Sequence, residues 1–195
     1  MFGNLLNRFL SLILTLPAVL LAISVHETAH GYAAYKMGDP TAKYSGRLSL
    51  NPFVHFDLIG FLCMLFFHFG WARPVPINPD NFKNRRKGVI LVSLAGPVSN
   101  LAMAIISAIL LGIAGKFVGF AALFSNVTSL KGLNVLVVML YYCIVINVGL
   151  MIFNLIPIPP LDGSRVLTEF LPGRIKYKFY QYERYSFLVL LLIIY

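Results

Sequence analysis

The chain has 195 residues, of which 58% are hydrophobic and only 12% are charged, and its mean hydropathy is +0.80. A soluble domain carries about twice that charged share, so the composition excludes an ordinary soluble domain and favours a polytopic membrane protein. The net charge of +9 comes mostly from Lys and Arg in short segments between apolar runs, a pattern that orients membrane helices. No basic patch interleaved with aromatic residues is present, so we expect no nucleic-acid partner.

The first apolar run, residues 5–24, is long enough to cross a bilayer, which takes roughly 20 helical residues. It has no clear cleavage site for a signal peptidase, and we interpret it as a retained membrane helix. The helical pattern continues through HETAHGYAAYKM and should end at Gly38-Asp39-Pro40, which is a strong helix breaker. Alternation after this breaker predicts a short strand or hairpin within residues 42–50.

The rest of the chain predicts two further spans and two shorter elements. Residues 89–114 and 133–156 are full-length spans, whereas residues 57–71 are apolar but too short to cross. A short helix should begin near Asp162, and the final run, residues 185–195, is a partial helix. The predicted fold class is an all-α polytopic membrane protein in a single domain, 1–195, with its core at 5–170. That domain comprises three transmembrane helices, a re-entrant segment at 57–71, the small strand or hairpin, and the partial C-terminal helix.

Three basic segments, residues 36–47, 73–87 and 165–184, predict the topology. If the excess of Lys and Arg marks the cytoplasm, all three segments lie on that side of a multi-pass protein in the cell membrane. The segment between the first two must then enter and leave the bilayer from the same face. This topology places HETAH and Asp162 at one depth, near the cytoplasmic side.

HETAH, residues 26–30, is an H-E-x-x-H motif on a predicted helix. Positions i and i+4 share one helix face, so His26 and His30 can offer two imidazole nitrogens to one metal ion. Glu27 projects about 100° around the helix from His26, which suits a general base that takes a proton from metal-bound water. Two packing histidines beside a stray Glu are the alternative, but ionisable groups at membrane depth are usually functional or paired.

A catalytic zinc needs three protein ligands and an open position for water, and no third histidine lies nearby in sequence. Asp162 is favoured as the third ligand because Pro159, Pro160 and Gly163 give it a stiff backbone that permits close approach. Asp162 could instead be the N-cap of its helix. The other candidates for the third ligand are His55, Asp57, His68 and Glu169.

Two motifs in order resemble the site-2 protease family of intramembrane zinc metalloproteases: HETAH and FNLIPIPPLDGSRVL, residues 153–167. That family carries H-E-x-x-H on one core helix and N-x-x-P-x-x-P-x-D-G on another, and LVSLAGPVSN, residues 91–100, resembles the helix between them. The resemblance covers most of residues 20–170 and is similar to the compact bacterial and archaeal branch without regulatory modules. The second motif is matched residue for residue by Asn154, Pro157, Pro160, Asp162 and Gly163.

The resemblance implies that His26, His30 and Asp162 hold one Zn²⁺ per chain, and that Glu27 is the base. It also implies that Asn154 orients the substrate or the developing oxyanion. The expected function is hydrolysis of peptide bonds within or near transmembrane segments of membrane-protein substrates in a prokaryotic cell membrane. Such cleavage could serve regulated intramembrane proteolysis or signal-peptide clearance.

Several alternatives stay open on the sequence. Asn100 and His55 are candidates for substrate binding, although Asn100 could instead bond across helices or hold the site. Gly96-Pro97 is interpreted first as a site of tight helix packing. The runner-up function is a membrane metal-ion transporter or metal-binding protein using the same His/Asp site. The donor set suits zinc and could accept iron, and the sequence does not give the oligomeric state.

Overall fold

A computed structural model describes residues 2–67, 70–118, 132–179, 181 and 185–186, and the fold described here refers to these ranges. Side chains are described for all of them except 2–14, 64–67, 117–118 and 132–134. The described residues form helices and no strand. The elements are α1 (Phe2–Met37), α2 (Thr41–Tyr44), α3 (Pro52–His55), α4 (Leu58–Phe67), a 3₁₀ turn (Pro79–Asn81), α5 (Arg85–Val118), α6 (Gly132–Leu155) and α7 (Asp162–Thr168).

Helices α1, α5 and α6 pack against one another and form the bundle, and α7 packs against α5 and α6. Two stretches, Arg85–Lys116 and Val135–Leu155, are long and apolar enough to cross a bilayer. The third predicted span, residues 5–24, lies inside α1. It stays a prediction, as does the partial C-terminal helix, of which only residues 185–186 fall within the described part.

The bundle buries small and polar side chains and exposes large apolar ones. Between the helices lie Ala18, Ala22, Ser24, Asn100, Ala104, Ser107 and Asn147, all buried. Facing outwards are Leu101, Ile105, Ile106, Ile109, Leu110 and Ile113 of α5, with Leu136, Val145 and Ile152 of α6. This pattern is unfavourable in water because it exposes apolar surface. In lipid it is favourable, because small buried residues let the helix backbones approach closely and the apolar surface contacts the acyl chains.

The turn after α1 is held by the buried carboxylate of Asp39. The helix ends at Met37, as the Gly38-Asp39-Pro40 breaker predicts, and Gly38 has a φ of +113°, which favours glycine. Asp39 Oδ1 accepts hydrogen bonds from the backbone and hydroxyl of Thr41 and from Asn81 Nδ2, and its Oδ2 accepts one from Asn78 N at 2.7 Å. One buried acid therefore ties the start of α2 to the segment that precedes α5.

The strand or hairpin predicted within residues 42–50 is wrong. Residues 41–44 form the single helical turn α2, and Gly46, with a φ of +69°, closes the turn that follows it. The backbone N–H of Arg47 donates to the carbonyl of Ala42 at 2.9 Å. Local turn hydrogen bonds thus satisfy this backbone, and it has no ladder partner among the described residues.

The residues that flank the short apolar segment 57–71 lie next to each other. Helix α4 covers residues 58–67 of it. The N–H of Arg73 then donates to the carbonyl of His55 at 2.9 Å, so the two flanks of the segment meet. The returning chain also lies on α4, because a Cβ added at Gly60 would stand 2.0 Å from the carbonyl oxygen of Trp71.

The connection between α6 and α7 brings the second motif close to the first. The prediction that Gly163 permits close approach is confirmed: a Cβ there would lie 2.2 Å from the carbonyl oxygen of Leu155. Helix α7 therefore folds back tightly over the end of α6, and its first residue, Asp162, faces α1.

Candidate metal centre

Three ligand atoms from two distant parts of the chain converge between α1 and α7. His26 Nε2 and His30 Nε2 are 2.9 Å apart, and each lies 3.3 Å from Asp162 Oδ2. Both histidines are buried and the carboxylate is nearly so. Asp162 does not act as an N-cap, since Leu161 occupies that position and no side chain caps α7.

The spacing of these three atoms fits a zinc ion. Zinc binds imidazole nitrogen and carboxylate oxygen at about 2.0–2.2 Å, which in a tetrahedron places neighbouring donors about 3.3 Å apart. Asp162 Oδ2 is also buried and makes no hydrogen bond within the described structure. A buried anionic oxygen that faces two imidazole nitrogens is the arrangement that a bound cation would satisfy.

Each histidine is oriented at Nδ1 by a group on α5. His30 Nδ1 lies 2.7 Å from the carbonyl oxygen of Val92, which can only accept, so Nδ1 carries the proton and Nε2 is free to bind metal. His26 Nδ1 lies 2.5 Å from Asn100 Oδ1. Asn100 is fixed in turn, because its Nδ2 donates to Asn147 Oδ1 at 2.7 Å and to the carbonyl of Ala22 at 3.2 Å.

Gly96 makes room for the two imidazoles against α5. A Cβ added at this position would lie 2.4 Å from His30 Nε2 and 2.5 Å from His26 Cε1. The sequence predicted a helix-packing role for Gly96-Pro97. In the structure, Gly96 packs against the imidazoles of His26 and His30. Among the described glycines, it is the one whose hydrogen faces the ligand nitrogens.

Glu27 and Asn154 line the cavity that opens in front of the three donors, with a volume of about 170 Å³. Glu27 Oε2 accepts a hydrogen bond from the backbone N–H of Val75 at 2.9 Å. This bond leaves Oε1 available on the cavity side. Asn154 Nδ2 donates one hydrogen bond to the carbonyl of Leu150 at 3.0 Å, and its second amide hydrogen has no hydrogen-bond partner among the described residues.

The electrostatics of the centre keep Asp162 ionised. Burial raises the pKa of Asp162, but the interactions with His26 and His30 outweigh it, and the pKa falls to about 2. Above this pH the group is a carboxylate, which is the form that binds a metal ion.

The other candidates from the sequence lie elsewhere. His55 is buried against Ser49, whose carbonyl its Nε2 approaches at 2.7 Å, and it lines a separate cavity with Trp71. Asp57 Oδ1 accepts the N–H of Gly60 at the start of α4. Glu169 pairs with Lys176 at 2.6 Å. His68 lies outside the described residues. The geometry also favours a positioning role for Asn100 over the substrate contact predicted from the sequence.

Two contributors were not expected from the sequence. The backbone N–H of Val75 reaches Glu27 from 48 residues away, and no side-chain pattern signals a backbone contact of that kind. Asn147, fully buried in α6, could have been noticed as a polar residue within an apolar span, since such residues usually have a partner.

Comparison with known proteins gives a consistent result. The model of Peptidase family M50 matches residues 14–195. The chain is 42% identical over 175 residues to "Putative zinc metalloprotease YwhC" of Bacillus subtilis (strain 168), and the alignment covers 90% of this chain and 77% of that protein. It is 28% identical over 190 residues to "Putative zinc metalloprotease Rip2" of Mycolicibacterium smegmatis, covering 93% of this chain and 66% of that protein. No solved structure matches.

Proposed function

The chain belongs to Peptidase family M50, and we propose that its metal centre hydrolyses peptide bonds within or next to membrane-spanning helices of other proteins. It is a zinc metalloprotease, as both the family and the names of its relatives indicate, and its two long apolar helices make it a membrane-embedded one. The observation that supports the site assignment best is the triangle of His26, His30 and Asp162, with Glu27 beside it in one cavity.

In this proposal His26, His30 and Asp162 hold one zinc ion. When bound, zinc supplies Lewis-acid polarisation of the scissile carbonyl and lowers the pKa of a water ligand. Val92 and Asn100 set the protonated nitrogen of each imidazole, so that both Nε2 atoms face the metal position. Gly96 allows both rings to approach α5.

Glu27 acts as the general base. Its Oε2 is fixed by the N–H of Val75, which leaves Oε1 to take a proton from the attacking water and then to deliver it to the leaving amine. Asn154 donates its free amide hydrogen to the carbonyl oxygen of the scissile bond, where negative charge develops. The peptide must be locally unwound to expose that carbonyl.

We propose a multi-pass topology in a prokaryotic cell membrane with the metal centre near the cytoplasmic side. Three features support it: the common charge of the segments 36–47, 73–87 and 165–184, the outward apolar faces of α5 and α6, and the meeting of the flanks of residues 57–71. In this topology α1 supplies the third span and residues 57–71 form the re-entrant segment.

The test is the variant Glu27→Gln, assayed for zinc content and for cleavage of single-span substrates in detergent. We expect zinc to be retained and cleavage to fall by about 10²- to 10⁴-fold, since a positioned acid–base group contributes that much. Asp80→Asn serves as the control, because Asp80 is exposed and its one ion pair with a described residue is with Arg85. Zinc bound equally in parent and variant, with no cleavage of any substrate by either, would favour metal transport or storage instead.

A further inference from the structure

The metal-centre cavity shares lining residues with two neighbouring cavities that differ in the charged residues they carry. We define the apolar cavity, of about 240 Å³, by Ile23, Leu150 and Phe153, and it shares His26, Glu27 and Asn154 with the metal centre. We define the polar cavity, also of about 240 Å³, by Arg85, Arg165 and Glu169, which stand among apolar residues such as Phe82 and Val89. The metal centre therefore lies beside one cavity with a mainly apolar lining and another whose lining carries these three charged residues.

Arg165 is the charged residue that lines both the metal-centre cavity and the polar cavity, alongside Ile77, Val92 and Ser93. It follows Asp162 by three residues on α7, and residues three apart lie on the same face of a helix. The Asp162 carboxylate faces the two histidines, so Arg165 presents its cation to the same space from the next turn.

The charge of Arg165 is unmatched within the described part of the chain. Glu169, the carboxylate of the polar cavity, is paired with Lys176 at 2.6 Å. The two carboxylates of the metal-centre cavity face other groups: Glu27 accepts from Val75 N, and Asp162 faces the two histidines. Arg165 forms no ion pair with a described residue. An exposed, unpaired guanidinium at the edge of a catalytic cavity offers a planar fork of donors that fits a carboxylate in two-point geometry.

On the basis of the proposed function, we propose that Arg165 is a specificity-determining residue that binds a carboxylate on the part of the substrate leaving the bilayer. The membrane-embedded part of the substrate occupies the apolar cavity, and the scissile bond lies at the metal centre. The acidic group then reaches Arg165 on the polar flank. It can be an Asp or Glu side chain or the free C-terminus of a short remnant peptide, since both present the same group.

The experiment uses the zinc-loaded protein and synthetic single-span substrates in which one Asp, Asn or Lys is scanned along the polar flank. At the position that reaches Arg165, we expect the kcat/KM of the Asp substrate to be about 10- to 100-fold higher than that of its Asn counterpart. Arg165→Gln should bring this ratio close to one, and Arg165→Glu should invert the preference towards Lys. Lys43→Gln, which changes an exposed cation outside both cavities, should keep the ratio.

A second substrate pair, with a C-terminal acid or a C-terminal amide, separates the two sources of the carboxylate. A preference in either pair that depends on Arg165 supports the proposal and identifies the source. An Asp-to-Asn ratio unchanged in Arg165→Gln overturns it, as does an Arg165→Glu variant that shows no preference for Lys. A parent protein that binds zinc and cleaves none of the substrates overturns the proposed function itself, whereas cleavage without a charge preference overturns only the role of Arg165.

Discussion

Both imidazoles of the metal centre are oriented by α5, a helix that contributes no ligand of its own. Val92 and Asn100 contact the Nδ1 atoms, and Gly96 leaves the space in which the rings lie. One turn of α5 separates each of these residues from the next, so a single helix face orients both ligands. The geometry of the metal centre therefore depends on the absence of a Cβ at Gly96 as much as on the ligands themselves.

The variant Gly96→Ala tests this dependence. Its methyl group would overlap both imidazoles, so we expect zinc content and cleavage to fall sharply while the helical content stays unchanged. Gly112→Ala on the same helix is the matched control, because nothing lies within 4 Å of its added Cβ. Equal zinc content and equal cleavage in the two variants would contradict the role of Gly96.

The variant Asn100→Leu removes the acceptor that fixes the His26 ring. We expect zinc affinity to fall by about 10- to 100-fold, as is typical when a group that supports a metal ligand is lost. Asn100→Asp retains an acceptor for His26 Nδ1 and should lose much less. Competition titration with a fluorescent zinc chelator measures both affinities, and an Asn100→Leu affinity equal to the parent value would exclude a positioning role.

At the scale of elements, the connection between α1 and α5 depends on Asp39. Burial raises the pKa of Asp39, but hydrogen bonds from Thr41, Asn81 and Asn78 outweigh it, and its net pKa is lowered. A folded-state pKa below the unfolded value means that Asp39 stabilises the fold fully above about pH 4. This contribution is lost as the pH falls below that value.

We therefore expect Asp39→Asn to destabilise the protein by about 1–3 kcal/mol at pH 7, since donors that faced the carboxylate lose their acceptor. The difference from the parent should shrink as the pH falls below about 4. Thermal unfolding in detergent at several pH values measures it. Asp57→Asn is the control, since the Asp57 carboxylate accepts one hydrogen bond from the described residues, from the N–H of Gly60. A difference between parent and Asp39→Asn that grows towards acid pH would contradict the account.

The sequence predicted those elements whose stabilising contacts are local. The breaker at residues 38–40 ends α1 as expected, and the proline-rich run before Asp162 starts α7 as expected. The strand predicted at 42–50 was wrong because its alternating side chains meet no partner strand among the described residues. A helical turn at 41–44 and a turn at Gly46 form there instead. The contacts of Val75 and Asn147 depend on tertiary packing, which residue order does not reveal.

At the scale of the whole molecule, the distribution of side chains is the reverse of that in a water-soluble bundle. Polar and small residues hold the helices together, and isoleucine and leucine face outwards on α5 and α6. The resulting surface requires lipid or detergent. In the proposed topology, the basic segments lie at the end of the bundle that meets the cytoplasm.

Single-cysteine labelling in a variant without Cys63 and Cys143 tests this topology. Cysteines at Ser45, Lys83 and Ile175 should be protected from an impermeant maleimide in intact bacterial cells and should react after permeabilisation. A cysteine at Lys116, near the other end of α5, should react in intact cells. Labelling of Lys83→Cys but not of Ser45→Cys in intact cells would place the flanks of residues 57–71 on opposite sides and would contradict a re-entrant segment.

The most direct test of the central claim is the zinc content of the purified protein and of its Asp162→Asn variant, measured by mass spectrometry of the metal. We expect about one zinc per chain in the parent and a large loss in Asp162→Asn, matching the loss in His26→Ala. Equal zinc in the parent and in both variants would contradict it, because the metal would then be bound somewhere other than the triangle of His26, His30 and Asp162.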